Sequence, residues 1–273
     1  PALSAPNPCT GSSLCGGAAS NIILVRADNV MIHDLTLDGD NPSLTSGIER
    51  GGADLDARNG IIVDHSAGSF TGLEVHDCVV KNVYLRGINA SSGGTFNIHH
   101  NTVTNVQGDY YSIGIFAWYG PGTMSYNDVS YCNDGISANH SKGIQFLYNT
   151  VSHSGSGIHT DNSGDSSGSV PDLIQGNTVT DSTSGGYGIW TFVPYLAPVV
   201  DDNIITNCDV GISAWGQGAE VTHIFTNNTV TGSNASGSVG VYVTTDLISW
   251  GYTDISVDFQ NNSISGYETG IYL

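Results

Sequence analysis

An all-β solenoid, in which one coil of chain stacks on the next, is the fold this sequence predicts, and three observations predict it. The motif Asn-x-Val/Ile recurs at Asn101, Asn127, Asn149, Asn177, Asn203, Asn228 and Asn262, with Asp77-Cys78-Val79 as a variant first copy. A Gly-Ile or Gly-Val pair follows each copy, from Gly87-Ile88 to Gly270-Ile271, and Gly60-Ile61 stands ahead of the series. After each glycine the apolar residues alternate with period two, the period of a strand, and no segment sustains the 3.6-residue period of a helix. Successive Asn motifs lie from 22 residues (Asn127 to Asn149) to 34 residues (Asn228 to Asn262) apart, the length of one coil.

In chain order, residues 1–19 are a Gly- and Ser-rich leader, expected to fold over the first coil as a cap. Cys9 and Cys15 within it are spaced for a small disulfide loop in an oxidising compartment. Residues 20–273 make the solenoid, about nine coils by the count of glycine pairs. In each coil the motif asparagine belongs at a turn, where its amide bonds backbone and the equivalent asparagine one rung away, at roughly 4.8 Å. The strand after each glycine turns inward Ile88/Ala90, Ile115/Ala117, Ile136/Ala138 and their equivalents. Cys132 and Cys208 share one position three coils apart, roughly 14 Å at that rung spacing and beyond disulfide reach. With Cys78 they are expected as buried free thiols. The sequence stops at Gly270-Ile271-Tyr272-Leu273, inside the repeat, so either continuation past residue 273 or self-association through this uncapped rung is expected.

Composition narrows the function. The chain carries 25 acidic against 6 basic residues, a formal net charge of -19, so a nucleic-acid partner is excluded. No apolar run is long enough to span a bilayer. Only 11% of residues are charged, and Gly, Ser, Thr and Asn take the place of surface Lys and Glu, which points to an extracellular or cell-surface protein.

Coils of this length carrying Asn-x-Val/Ile and Gly-Ile-x-x resemble the right-handed parallel β-helix superfamily, the pectate-lyase-like fold, over about residues 20 to 273. Its members include polysaccharide lyases, glycoside hydrolases, uronate epimerases, phage tailspikes and adhesins, so the resemblance implies a fold and not an activity. Residues 34–42 and 54–61 are also similar to segments of secreted β-helix surface proteins.

Alternation after the glycine fixes two outward columns along the solenoid axis. One runs Ile62, Asn89, Phe116, Ser137, His159, Trp190, Ser213, Tyr242, Tyr272; the other runs Asp64, Ser91, Trp118, Asn139, Asp161, Phe192, Trp215, Thr244. Phe116, Trp118, Trp190, Phe192 and Trp215, with Asn139, are the candidate glycan-binding residues, because aromatic faces stack on pyranose rings while amides bond hydroxyls. Residues 109–111, 162–171, 193–198 and 246–252 would wall that face. His159 and Asp161 share one side of a strand, and with Asp134 one coil earlier they are the candidate catalytic group. A hydrolase needs two paired carboxyls, and a lyase or epimerase needs a base plus a cation for the uronate. Lys142 is the only lysine nearby, which weighs against an anionic substrate unless Ca²⁺ supplies charge. Neither the Arg/Lys-rich site of pectate lyases nor the paired Asp and Gly-His-Gly motifs of polygalacturonases is present.

Asp38, Asp40, Asp54 and Asp56 supply hard oxygen ligands of the kind Ca²⁺ takes, and the same residues are ordinary turn chemistry. The sequence thus predicts an extracellular structural or adhesive solenoid that binds glycan through its aromatic face. The alternative is a carbohydrate-active enzyme working around His159 and Asp161. A trimeric phage-type spike would need longer polar faces for lateral packing.

Overall fold

The structure, a computed structural model, describes residues 6–91, 93–162, 170–192, 196, 198–216, 221–245 and 255–273. It is a parallel β-solenoid, and no α-helix occurs among the described residues. Each coil contributes three strands; around Asn177 these are Leu173–Gln175, Thr178–Thr180 and Tyr187–Phe192. The first kind forms a nine-stranded sheet and the other two share an 18-stranded sheet. Stacking is parallel and in register, as in Val151↔Val179↔Ile205 and Ile158↔Ile189↔Ile212. Among the described residues the one antiparallel pairing is a short hairpin, Glu49–Arg50 with Ala53–Asp54.

The nine-stranded sheet has one strand for each of the nine glycine pairs, and seven of these coils carry the Asn motif. Regular coils coincide with the seven Asn motifs. Ahead of them, Val79–Ser91 runs as one 13-residue strand through what is a corner in later coils, and Ile61, Ile88 and Ile115 still stack on three successive rungs.

Three corners join the strands, and they differ in tolerance. The corner at the motif asparagine always has two residues: one in the left-handed region, such as Tyr148 (φ 54), Gly176 (φ 68) or Asp202 (φ 54), then the asparagine, buried in every copy but Asn262. In the coils that carry the Asn motif, the second corner ranges from one residue, Asn133, to seven, residues 232–238. Among the described residues the third ranges from residues 142–144 to residues 64–72.

The asparagines form a continuous buried ladder. Asn177 donates its backbone N–H and its Nδ2 to Asn203 Oδ1, both at 2.9 Å, and Nδ2 also reaches Phe146 O at 2.9 Å and Gln175 O at 3.1 Å. Its own Oδ1 accepts from Asn149 in the same two ways. Alongside the ladder, Val151, Val179, Ile205 and Val230 stack in the apolar core. Cys78, Cys132 and Cys208 are free and buried, while Cys9 and Cys15 form the leader disulfide.

The outward columns are less exposed than alternation predicts. Ile62, Asn89 and Ser213 are fully buried, and Phe116, Ser137, Asp64 and Ser91 nearly so. At the N-terminal end the cause is the leader. Fully buried Arg58 donates to Pro6 O at 2.8 Å, Cys9 O at 3.2 Å and Ser12 O at 2.8 Å, and Asn59 Nδ2 donates to Ser13 O at 2.8 Å. These bonds lay the leader against the first coils, and its own Ser13 and Leu14 are buried there.

Two polar clusters interrupt the core. Buried Asp172 accepts from Thr160 Oγ1 at 2.6 Å, Ile144 N at 2.8 Å, Gly143 N at 3.1 Å and Ser141 Oγ. Buried His223 faces Thr191 Oγ1 at 3.2 Å through Nδ1, and its Nε2 has no partner among the described residues. Burial pushes the His223 imidazolium down to about 4 from 6.5. Between those values the unfolded chain holds more protons than the folded one, so stability falls as pH falls from 6.5 to 4, by on the order of 3 kcal/mol. Asp172 acts oppositely, since burial raises its pKa and the folded form then takes up a proton more readily. Comparing urea unfolding of wild type and His223→Leu at neutral and acid pH isolates the histidine. The variant is expected to lose about 2 kcal/mol less than wild type on acidification to about pH 4.5; equal losses would refute this.

Candidate functional site

The strand after each glycine positions the site, and the glycine itself decides which side chains reach it. A Cβ on Gly157 would meet Val179 Cγ1 at 2.3 Å and Gly188 O at 2.5 Å, so the position points inward. The next residue, Ile158, is also fully buried. Two inward positions in succession restart the alternation, and the residue before the glycine therefore projects outward. Arg86, Ile113, Asp134, Ser156 and Tyr187 form this third column, five coils in a row. Together with the two predicted columns they line a groove of about 850 Å³.

Seven of the predicted residues converge there: Phe116, Trp118, Asp134, Asn139, His159, Trp190 and Trp215. His159 Nδ1 lies 3.5 Å from Asp134 Oδ2, close enough for an ion pair but without hydrogen-bond alignment. The His159 ring stacks on Trp190 with centroids 4.3 Å apart, and Tyr187 stacks on the same indole at 5.0 Å. Trp118 stacks on His140 at 4.8 Å. Trp215 differs: its contacts with Trp190, Phe192 and Tyr242 are all edge-on or tilted, at 62°, 51° and 62°. Its ring is turned relative to its neighbours and engaged in no parallel stack among the described residues. The indole Nε1 of Trp190, that of Trp215 and both nitrogens of His159 are buried and have no hydrogen-bond partner there.

Two predicted residues lie elsewhere. Phe192 packs against Trp190 and Trp215, at 5.1 and 5.8 Å, without lining the groove. Asp161 accepts the His140 backbone N–H at 2.5 Å, and burial raises its carboxyl pKa. In register, Asp134 pairs with Ser156 and Asn139 with Asp161, so the two aspartates are five positions apart along the strand, roughly 15 Å. That exceeds the roughly 9.5 Å limit for a hydrolase carboxyl pair.

The expected walls are met in part: Tyr110 and Tyr111 line the groove. Residues 163–169, 193–195 and 246–252 lie outside the described residues. Arg86 and Tyr187 were not recognised as site residues from the sequence. The signal was there in the column preceding the glycine pairs, but alternation carried back through the glycine assigns that column to the core.

The chain matches the family described as periplasmic copper-binding protein (NosD) over residues 40–167 and 107–273. It belongs to the NosD family. Neither a curated protein nor a solved structure matches the chain.

The NosD description calls for a test of the residues present against copper. Cys78, Cys132 and Cys208 are single buried thiols, and burial pushes Cys132 up to about 12, against thiolate formation. At the surface, His33, His76 and His99 stack at 4.9 and 5.0 Å with planes within 3°, so their nitrogens lie side by side and do not converge. His33 and His76 engage Asp34 and Asp77 through Nδ1, both at 2.7 Å. His99 and His100 bring their Nδ1 atoms 2.9 Å apart, yet no group of three or more His, Cys, Asp or Glu among the described residues is gathered for a metal. The described residues of this NosD-family chain do not fit a copper centre.

The aspartates proposed for Ca²⁺ are engaged separately. Asp38 pairs with Lys81 at 2.8 Å and accepts from Asp40 N, Asp54 accepts from Ser46 and Ile48 N, and Asp56 accepts from Asn41 N at 2.9 Å.

Proposed function

We propose that this NosD-family solenoid acts outside the cytoplasm as a structural or adhesive scaffold that binds a saccharide chain in the aromatic groove. One observation carries the reading: a groove of 850 Å³ combines a tryptophan ring free of parallel stacking, Trp215, with partnerless buried nitrogens on Trp190, Trp215 and His159. Buried donors normally find partners, and a polyhydroxylated ligand supplies acceptors beside apolar C–H faces. The leader disulfide agrees with an oxidising compartment.

Trp215→Ala is expected to weaken saccharide binding about tenfold or more, a loss of about 1.4 kcal/mol, read by isothermal titration with neutral hexasaccharides. Unchanged affinity in the variant, or no saccharide bound by wild type, would overturn the reading.

A second reading, a carbohydrate-active enzyme, is favoured by the Asp134–His159 contact inside the groove. A carboxylate beside an imidazole is an acid–base pair. Under this reading, product release from polysaccharide is abolished in both Asp134→Asn and His159→Ala.

A further inference from the structure

We propose that a second cavity, of about 440 Å³ beside the groove, is an anion-accepting subsite that takes the carboxylate or sulfate substituent of an acidic sugar unit. The inference rests on the carbohydrate-binding reading and names its ligand class.

Phe116, Trp118, Arg86 and Gly11 line both cavities, so Trp118 is a ridge between two compartments of one trough. Arg86 is the central group. It is buried, and it donates Nε to Ser13 Oγ at 3.3 Å, Nη1 to Leu85 O at 3.4 Å and Nη1 to Tyr111 O. Its guanidinium also lies 4.6 Å over the Phe116 ring. All these partners are neutral. Arg26 and Lys81, by contrast, pair with Asp64 at 2.6 Å and Asp38 at 2.8 Å. Burial lowers Arg86 to about 10, with Asp134 and Asp109 opposing from beyond ion-pair distance, so it stays charged at neutral pH. A buried cation whose direct contacts are all neutral is costly, and an anion placed against it recovers part of that cost.

The rest of the smaller compartment has the same character. Its other polar wall residues are Ser12, Ser13, His65, Ser91 and Tyr119, and no acidic residue among the described ones lines it, in a chain of net charge -19. Ser91 Oγ bonds Asn89 Oδ1, and Asn89 Nδ2, fully buried, has no partner among the described residues. The larger groove holds Asp134, which repels an anion. The charge division orients the ligand: the acidic unit sits under the disulfide loop and the remaining sugars run past Trp118 toward Trp215.

The test titrates tryptophan emission with glucose, glucuronate, glucose 6-sulfate and inorganic sulfate at constant ionic strength. Glucuronate and glucose 6-sulfate are expected to bind about tenfold more tightly than glucose and than sulfate alone. Arg86→Gln removes the advantage, so that within the variant glucuronate and glucose 6-sulfate bind no more tightly than glucose. Should that variant fail to fold, added chloride on wild type decides, weakening the two anionic sugars and sparing glucose. Glucose equal to glucuronate and glucose 6-sulfate overturns the subsite, and inorganic sulfate binding as tightly as both reduces it to a plain anion hole. A neutral hexasaccharide that still binds then preserves the groove. If no saccharide changes the emission, the carbohydrate reading itself falls.

Discussion

Asn177→Ala is expected to lower the unfolding free energy by about 3–6 kcal/mol, the largest effect of any single substitution considered for this chain. The side chain accepts two hydrogen bonds from Asn149 and shares its two Nδ2 hydrogens among Phe146 O, Gln175 O and Asn203 Oδ1, while Asn203 Oδ1 also takes the Asn177 backbone N–H. A net hydrogen bond contributes about 1 kcal/mol, and a buried group left without its partner costs about 1–3 kcal/mol. Alanine strips the side-chain bonds at once and leaves orphaned groups on two neighbouring coils. Asn177→Asp sharpens the test, because the carboxylate keeps the acceptor, loses the donors and adds a buried charge facing Asn203 Oδ1. Urea unfolding of both variants reads the effect. A loss below about 1 kcal/mol for alanine would mean the ladder is not the stabilising spine its geometry implies.

Gly157→Ala is expected to cost about 1–3 kcal/mol or more, the range for overpacking a rigid interior. The added methyl would stand 2.3 Å from Val179 Cγ1 and 2.5 Å from Gly188 O. The second contact is a backbone atom of the next coil, so relief requires displacing a whole rung. Gly270 occupies the same motif position, and a Cβ there would meet nothing within 4 Å. In a chain ending at Leu273 and kept monomeric, Gly270→Ala is therefore expected to stay within about 0.5 kcal/mol of its parent. The contrast between two identical substitutions tests the mechanism independently of helix or strand propensity. Equal melting temperatures for the two variants would show that coil contact is not why glycine recurs.

Much of this was legible in the sequence because the repeat reports one physical fact many times. Ile115, Ile136, Ile158 and Ile189 are buried where alternation puts them, and the motif asparagines bond from rung to rung as their spacing predicts. What alternation misses is the restart at the glycine. A residue without a side chain shows no preference for either face, so the outward turn of Arg86, Asp134 and Tyr187 follows only once the glycine's neighbours are known. The covering of Asn89 and Phe116 was equally hidden, since the leader that Arg58 and Arg86 hold carries no repeat signal of its own. Ring orientation lies further still from sequence. Trp190 and Trp215 occupy neighbouring coils in adjacent columns, yet one is clasped by His159 and Tyr187 while the other stands turned.

The unequal corners bear on how such a molecule diversifies. An insertion at the two-residue corner would shift the left-handed residue and break the asparagine column. One at either of the other corners lengthens a rim and leaves the spine intact. Descendants of a common ancestor can thus exchange recognition surfaces freely while inheriting the same backbone, much as a keyring accepts new keys without being rewound.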